Sequence, residues 1–181
     1  MVKSALDGKN VCIFAYGQTG SGKTYTMQGD EGSTIDSENS GIVPRAVQMI
    51  FNSLAERKRL FGSQLTFSVM MSCFEIYIET AKDLLDVSNS QSMATNLSKW
   101  KPISLEVTSL DDVQILLKKT VKNRSMGATA LNEYSSRSHC IHKLNISVRE
   151  NNEQIVSGNL VLIDLAGSER INDSRVDGQR K

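Results

Sequence analysis

Short apolar runs alternate along the chain with segments of helical periodicity, and this pattern predicts the strands and helices. Residues 11–16 are apolar and rich in β-forming types, which is typical of a parallel strand buried on both faces. Residues 66–78 form a long β-rich run that predicts a central strand. Residues 141–149 and 155–164 predict two further strands, and the polar link between them predicts a hairpin loop.

Three segments have the periodicity of helices. The first begins at Gly22 and stops near Met27, and the polar, glycine-containing residues 28–41 then predict a surface loop. The second ends in the basic residues 57–59, which we interpret as a charged helix end that suits the dipole, not as a nucleic-acid patch. Its predicted buried face consists of Val43, Val47, Ile50 and Leu54.

The third helix begins with a capping box, Ser109-Leu110-Asp111-Asp112. Its predicted buried face consists of Leu110, Val113, Leu117 and Val121. Four cations crowd its final turns, and we interpret them as a cluster that matches the helix dipole, with a basic binding patch as the alternative. These cations are Lys118, Lys119, Lys122 and Arg124.

The order of strands and helices predicts an α/β domain of three layers, in which helices flank a sheet of parallel-type strands. In such sheets a ligand binds at the carboxyl ends of the strands. Gly17 directly follows one predicted strand, and Asp164 ends another. A binding site is therefore expected at this edge of the sheet.

Composition restricts the class of protein without identifying a ligand. The chain has 181 residues, of which 39% are apolar and 23% charged, and these values suit one soluble domain. The net charge of +1 points to no particular partner. Binding to a nucleic acid would need a local basic patch, and we expect no nucleic-acid partner. No apolar stretch is long enough to span a membrane, and the N-terminus lacks the apolar core of a signal peptide. We therefore expect no membrane partner and a cytoplasmic or nuclear location.

The cysteines and histidines do not indicate a metal site. Cys12, Cys73 and Cys140 are odd in number, and none is spaced for metal binding, so we predict three buried, reduced thiols. His139 and His142 lie three residues apart in a predicted strand and therefore face opposite sides. We interpret both histidines as packing or hydrogen-bonding residues.

The run Gly17-Gln18-Thr19-Gly20-Ser21-Gly22-Lys23-Thr24, here called the phosphate loop, matches the pattern G-x-x-x-x-G-K-[ST] in full. Its glycines permit turns that direct backbone N–H groups at phosphate oxygens, and the following helix adds its positive end. Lys23 supplies charge for the β- and γ-phosphates, and Thr24 supplies a hydroxyl for magnesium. The alternative is a glycine-rich turn without a ligand, but the strand before it and the helix after it favour a nucleotide site.

Two later segments have features that would complete such a site. Asp164-Leu165-Ala166-Gly167 ends a buried strand with a carboxylate, the position at which phosphate-loop enzymes hold the magnesium shell through water. Gly167 can present its N–H to a γ-phosphate because no Cβ obstructs the approach. Residues 132–139 predict either a solvated turn or a γ-phosphate sensor, in which Arg137 pairs with an acid. The sequence pattern leaves these two alternatives open.

Together these segments resemble the kinesin motor domain over nearly the whole chain. The segments that carry the resemblance are residues 13–27, residues 132–139 (switch I) and residues 164–169 (switch II). Intervening segments that also fit are Gly41-Ile42-Val43-Pro44-Arg45, Phe74-Glu75-Ile76-Tyr77 and Asp83-Leu84-Leu85. Residues 171–174 and 178–180 look most like the C-terminal-motor, minus-end-directed subfamily.

The resemblance implies ATP and Mg²⁺ as cofactors and assigns residues to each. The phosphate loop would hold the phosphates, and Tyr25 would lie against the base. Ser136 would coordinate magnesium beside Thr24, and Asp164 would hold the ion through water.

The resemblance also implies a set of residues for the hydrolysis of ATP. Ser135, Ser136 and the N–H of Gly167 would face the γ-phosphate and the attacking water. Arg137 would pair with Glu169 and close the site when triphosphate is bound.

The function implied by the resemblance is that of a microtubule-based motor ATPase of the cytoskeleton, with tubulin as partner and dimerisation through regions outside this chain. Family members carry strands before the phosphate loop and helices after switch II that contact the microtubule. Residues 1–181 lack these parts, so we expect a single, partial motor domain with an incomplete phosphate-loop NTPase sheet. The alternatives are a nucleotide-binding fragment without productive ATPase and a non-motor kinesin-like protein. A small GTPase is disfavoured because no guanine-binding motif follows Asp164.

Overall fold

A computed structural model describes residues 1–30, 37–86, 94–126, 136–151 and 153–169. The helices are α1 (Val2–Leu6), α2 (Lys23–Gln28), α3 (Ile42–Phe61) and α4 (Leu110–Met126). The strands are β1 (Asn10–Ala15), β2 (Leu65–Tyr77), β3 (Thr80–Asp83), β4 (Leu105–Val107), β5 (His139–Glu150) and β6 (Glu153–Asp164). A short 3-10 helix, Gly62–Gln64, joins α3 to β2.

The strands form one mixed sheet in the order β1-β6-β5-β2-β3, and β4 also pairs with β2. Among the described strands, only β1 and β6 pair in parallel, with Ala15 opposite Asp164. The predicted hairpin of β5 and β6 is confirmed, and Asn151 occupies the left-handed region at its turn with a φ of 50°. The expectation of parallel-type strands was therefore wrong for most of the sheet, because a tight hairpin forces its strands to be antiparallel.

Strand β1 lies at the edge of this sheet, next to β6. Its side chains at Asn10, Cys12 and Phe14 are exposed, and Phe14 is 61% exposed. The predictions that this strand is buried on both faces and that Cys12 is a buried thiol were therefore wrong. Apolar composition alone does not distinguish a strand with two covered faces from one with a single covered face.

The described helices cover one face of the sheet. Strand register places Cys73, His142 and Leu162 side by side on this face, and all three are buried. Helix α3 lies across the layer and contacts α1, α2, α4 and β2. The α/β class and the helix-flanked sheet are as predicted, and the described residues contribute two of the three expected layers.

Helix α3 agrees with its predicted periodicity, since Val43, Val47, Ile50 and Leu54 are all buried. Its basic end, residues 57–59, makes contacts near the surface. Arg57 pairs with Asp7 at 3.0 Å, and Arg59 pairs with Glu56 at 2.7 Å. None of the described helices is both long and apolar enough to cross a membrane.

Helix α4 begins at the predicted capping box. The Ser109 N–H donates to Asp112 Oδ2 at 3.0 Å, and the Asp112 N–H donates to Ser109 Oγ at 3.1 Å. Its buried face was predicted wrongly at the C-terminal end, because Val121 is 39% exposed whereas Thr120 and Arg124 are buried. The helix therefore turns polar residues of its last turns toward the sheet.

Candidate nucleotide-binding site

The phosphate loop connects the carboxyl end of β1 to the start of α2. Gly20 and Gly22 have φ values of 79° and 85°, a left-handed backbone that glycine adopts without steric cost. The loop lies at the mouth of an open cavity of about 370 Å³. The residues that line this cavity are Thr19, Gly20, Gly22, Lys23, Thr24, Tyr25, Ser136, Asp164 and Leu165. Residues from three separate predicted segments therefore meet at one place, at the strand ends where a ligand was expected.

Thr24 and Asp164 are joined directly at the floor of this cavity. The Thr24 hydroxyl donates to Asp164 Oδ2 at 2.7 Å. Asp164 is 2% exposed, and its other oxygen, Oδ1, has no hydrogen-bond partner among the described residues. A hydroxyl beside a buried carboxylate with an unsatisfied oxygen is a donor set that suits Mg²⁺, which binds proteins through one or two such groups and completes its shell with water and phosphate. The residues therefore fit the predicted ion.

The phosphate loop already holds a carboxylate in this structure. The backbone N–H of Thr19 donates to Glu169 Oε2 at 2.9 Å, and the Thr19 hydroxyl donates to Oε1. These contacts lower the pKa of Glu169 below its usual value. The hydrogen bond from the Thr19 hydroxyl is the largest cause, and the charge of nearby Lys23 is a smaller one. An N–H of this loop is therefore directed at an anion, as phosphate binding requires.

Backbone hydrogen bonds connect the loop to the two switch segments. The Gly167 N–H donates to the Ser136 carbonyl at 2.7 Å, and the Ser168 N–H donates to the Gly17 carbonyl at 3.0 Å. A Cβ on Gly167 would collide with the Glu169 carboxylate and the Thr19 hydroxyl. Glycine at this position therefore allows switch II to lie against the loop.

The remaining predicted site residues differ in whether the structure brings them to the cavity. Tyr25 lines the cavity and is 53% exposed, so its ring is free to meet a base. Arg137 is exposed and is not among the residues that line the cavity, and its pairing with Glu169 in the triphosphate state stays a prediction. Lys23 donates to the Gln18 carbonyl at 2.8 Å, within the loop itself. Ser135 lies outside the described residues.

Sequence reasoning missed a group behind the cavity, which we call the buried ionic cluster and define as Arg124, Glu75, Asp164 and Ser138. Arg124 Nε lies 3.2 Å from Glu75 Oε1, and its Nη1 lies 3.2 Å from Asp164 Oδ2. The Ser138 hydroxyl donates to Glu75 Oε1. The interpretation of Arg124 as a charge that matches the helix dipole was therefore incomplete, because its guanidinium also pairs with two carboxylates inside the protein.

A signal for Arg124 was present in the spacing of α4. Val113, Leu117, Thr120 and Arg124 recur at helical intervals on one face. Lys119 is also not a freely solvated charge, since it donates to the Leu85 carbonyl at 2.6 Å. Arg124 and Lys119 therefore both act as hydrogen-bond donors to the body of the protein.

His142 lies next to this cluster between two thiols. Its Nδ1 is 3.3 Å from Cys73 Sγ, and its Nε2 is 3.7 Å from Cys140 Sγ. Burial, with a smaller contribution from nearby Arg124, lowers the pKa of His142 to about 4, so the ring is neutral at physiological pH. Burial also raises the pKa of Cys140 to about 12. The predictions of buried thiols at Cys73 and Cys140 and of a packing role for His142 are therefore confirmed.

His139 faces the opposite side of β5, as predicted. Its Nδ1 accepts a hydrogen bond from the Ala166 N–H at 3.0 Å and so supports the turn of switch II. Among the described residues, no group of three or more His, Cys, Asp and Glu side chains is arranged to hold a metal ion.

Fold and site together define a phosphate-loop nucleotide-binding domain of the α/β class. The family model of the kinesin motor domain matches residues 1–181 of this chain. The chain is 41% identical to the kinesin-like protein KIN-14N of Oryza sativa subsp. japonica, over 99% of this chain and 25% of that protein. It is 42% identical to carboxy-terminal kinesin 2 of Xenopus laevis, over 99% of this chain and 29% of that protein.

Solved structures give the same result. A structure described as a fast kinesin superposes with a TM-score of 0.78 and 32% identity, over 98% of this chain and 50% of that chain. The chain therefore belongs to the kinesin motor domain family. The similarity to carboxy-terminal and KIN-14 kinesins agrees with the predicted resemblance to C-terminal motors. The chain spans about a quarter of the length of these two curated relatives.

Proposed function

We propose that this chain is the core of a microtubule-based motor that binds and hydrolyses Mg-ATP and couples the state of the phosphate to track binding. The observation that carries the proposal is the meeting of Lys23 and Thr24, Ser136, and Asp164 around one cavity. The fast kinesin structure is described by its ATPase mechanism and its interactions with microtubules. Family membership therefore supports both halves of the proposal.

The loop residues of this chain would bind and orient the triphosphate. Backbone N–H groups of the phosphate loop hold the phosphate oxygens, and Lys23 stabilises the negative charge that develops during transfer. Thr24 and Asp164 would hold magnesium, the latter through water, and the ion would neutralise charge on the phosphates when bound. Tyr25 would lie against the base.

The switch residues would act on the attacking water and report the state of the phosphate. Ser135, Ser136 and the Gly167 N–H would orient water toward the γ-phosphate, and for this the Gly167 N–H must leave the Ser136 carbonyl to which it donates here. For Glu169 to pair with Arg137 in the triphosphate state, its carboxylate must leave Thr19, to which it is bound here. This exchange of partners is a local change that moves switch II relative to the loop.

The test is the ATP turnover of the full-length protein with and without microtubules, with GTP as the nucleotide control. We expect ATP turnover that rises on addition of microtubules. Microtubule-independent turnover, or equal use of GTP, would contradict the proposal. Co-sedimentation with microtubules and imaging in cells would test the proposed tubulin partner and the location on the microtubule cytoskeleton.

A second candidate is a nucleotide-binding fragment without productive ATPase, because the cavity beside the phosphate loop supports binding by itself. Calorimetric titration of residues 1–181 with ATP and magnesium separates the two. Binding without turnover by this chain, together with turnover by the full-length protein, indicates a partial motor domain that cannot complete the reaction.

A further inference from the structure

We propose that Arg124, together with Glu75, is a positioning residue that orients the Asp164 carboxylate and the Ser136 segment toward the nucleotide. The inference rests on the proposed function, since it concerns the same site. Neither residue lines the cavity, so their influence would be exerted through Asp164 and Ser138.

The buried ionic cluster joins four elements of the chain at one point. Arg124 comes from the last turns of α4, Glu75 from β2, Asp164 from the end of β6, and Ser138 from the residue before β5. The Arg124, Glu75 and Asp164 side chains are 10%, 0% and 2% exposed. Charges so deeply buried are unfavourable unless they are paired, and the guanidinium supplies that pairing.

The cluster is not arranged for stability alone. One guanidinium faces two carboxylates, and Glu75 Oε2 and Asp164 Oδ1 have no hydrogen-bond partner among the described residues. Buried acceptors are normally satisfied, and an apolar replacement for such a cluster is often at least as stable. Unsatisfied carboxylate oxygens next to a ligand cavity instead indicate a functional arrangement.

The donors on Asp164 orient its carboxylate. Arg124 Nη1 and the Thr24 hydroxyl both donate to Oδ2, so Oδ1 is the oxygen left for the water shell of an ion. The planar guanidinium can hold Asp164 and Glu75 at the same time, whereas a lysine ammonium lacks this fork. Removal of Arg124 would therefore free the carboxylate to rotate about its remaining contact with Thr24.

The second branch of the cluster holds switch I. Glu75 accepts from Ser138, which lies two residues after Ser136 in the chain. The Ser136 carbonyl in turn accepts from Gly167. Arg124 and Glu75 therefore connect the two segments that are predicted to contact the γ-phosphate, and they do so from the side opposite to the ligand.

Two variants of the full-length protein separate positioning from stability, since one changes the net charge of the cluster and the other does not. Arg124→Met leaves two buried carboxylates without their cation, whereas Arg124→Met/Glu75→Gln removes one charge of each sign. The matched control is Arg59→Met/Glu56→Gln, which removes an ion pair on the surface of α3. The melting temperature and the release of a fluorescent ADP analogue are measured for each protein across a range of Mg²⁺ concentrations.

We expect Arg124→Met to melt at a lower temperature and the double variant to recover most of that loss. In the double variant, the Mg²⁺ concentration for half-maximal ADP retention rises by about tenfold or more, as for other residues that orient a metal ligand. ADP affinity in excess EDTA stays within about twofold of wild type, because the effect requires the ion. The surface control changes neither quantity.

A double variant that recovers its melting temperature and has wild-type Mg²⁺ dependence would overturn the proposal. If the double variant does not fold, Arg124→Lys decides, because it keeps the charge and loses the fork. A raised Mg²⁺ requirement in Arg124→Lys supports positioning, and an unchanged requirement rejects it. If the wild-type protein retains no ADP at any Mg²⁺ concentration, the proposed function itself fails.

Discussion

The phosphate loop and the buried ionic cluster contribute to the same site in opposite ways. The loop is contiguous in the chain and largely exposed, and it directs the backbone N–H of Thr19 at the Glu169 carboxylate. The cluster draws Arg124, Glu75 and Asp164 from separate elements and buries their charges behind the cavity. In the proposed division of roles, binding belongs to exposed residues of one contiguous loop, and orientation belongs to buried residues from separate elements.

The largest effect is expected when the cation of the cluster is removed. Arg124→Met should lower the free energy of unfolding by about 3–5 kcal/mol, because it leaves two buried carboxylates unpaired. Denaturant unfolding of residues 1–181 measures this loss. A loss as small as that of the exposed Arg59→Met would contradict the burial of charge described here.

The corresponding change in the loop should affect activity and spare stability. Lys23→Ala should lower microtubule-stimulated ATP turnover of the full-length protein by about 100-fold or more, since it removes charge stabilisation of the transferring phosphate. Its free energy of unfolding without nucleotide should change by no more than about 0.5 kcal/mol, because Lys23 contacts only the Gln18 carbonyl in the contacts described. Comparable turnover in Lys23→Ala and wild type would remove the basis for the nucleotide site.

The pH dependence of stability tests the interior next to the cluster. The pKa of His142 is about 4 in the folded protein, below its ordinary value, so the unfolded chain binds more protons between these values. Stability is therefore fully present above about pH 6.5 and is lost as pH falls toward the folded pKa, by about 2 kcal/mol between about pH 7.5 and 5.

The control for this measurement is His142→Gln, which cannot titrate. Asp164 and Glu75 face the same region and remain in both proteins, so the difference between the two pH profiles isolates the histidine. Urea unfolding at several pH values provides the profiles. Parallel profiles for His142→Gln and wild type would show that the ring is not held neutral.

The smallest effect is expected at a contiguous motif outside the site. Ser109→Ala removes the side-chain acceptor for the Asp112 N–H and should destabilise the protein by about 1 kcal/mol. Unlike a change in the phosphate loop, it should leave ADP retention and its Mg²⁺ dependence unchanged. Ser109→Asp, which can still cap the helix, should restore the melting temperature.

Some features were predictable from the sequence because short-range rules specify them. The glycines and Lys23 of the phosphate loop, the capping box at Ser109 and the apolar face of α3 each depend on neighbours within a few residues. Strand β2 and the hairpin of β5 and β6 were predicted on the same basis. These elements agree closely with the structure.

The errors share one physical origin, which is the choice of partner across the fold. Arg124 was interpreted only as a cation that matches the dipole of its helix end, but its guanidinium also pairs with two carboxylates in the sheet. Strand β1 was assigned two buried faces because its composition is apolar, and yet Phe14 is exposed. No local rule specifies which elements lie opposite a given residue.

The sequence by itself determined the class of site, because a phosphate loop needs only its own backbone and a few adjacent side chains to bind phosphate. It also determined which segments could complete the site, at Ser136 and at residues 164–169. Three contacts are visible only in the folded chain: Thr24 donates to Asp164, Thr19 donates to Glu169, and Arg124 donates to the Asp164 carboxylate. The reason is that these are charged and polar contacts between distant residues, whose strength depends on the burial that folding creates.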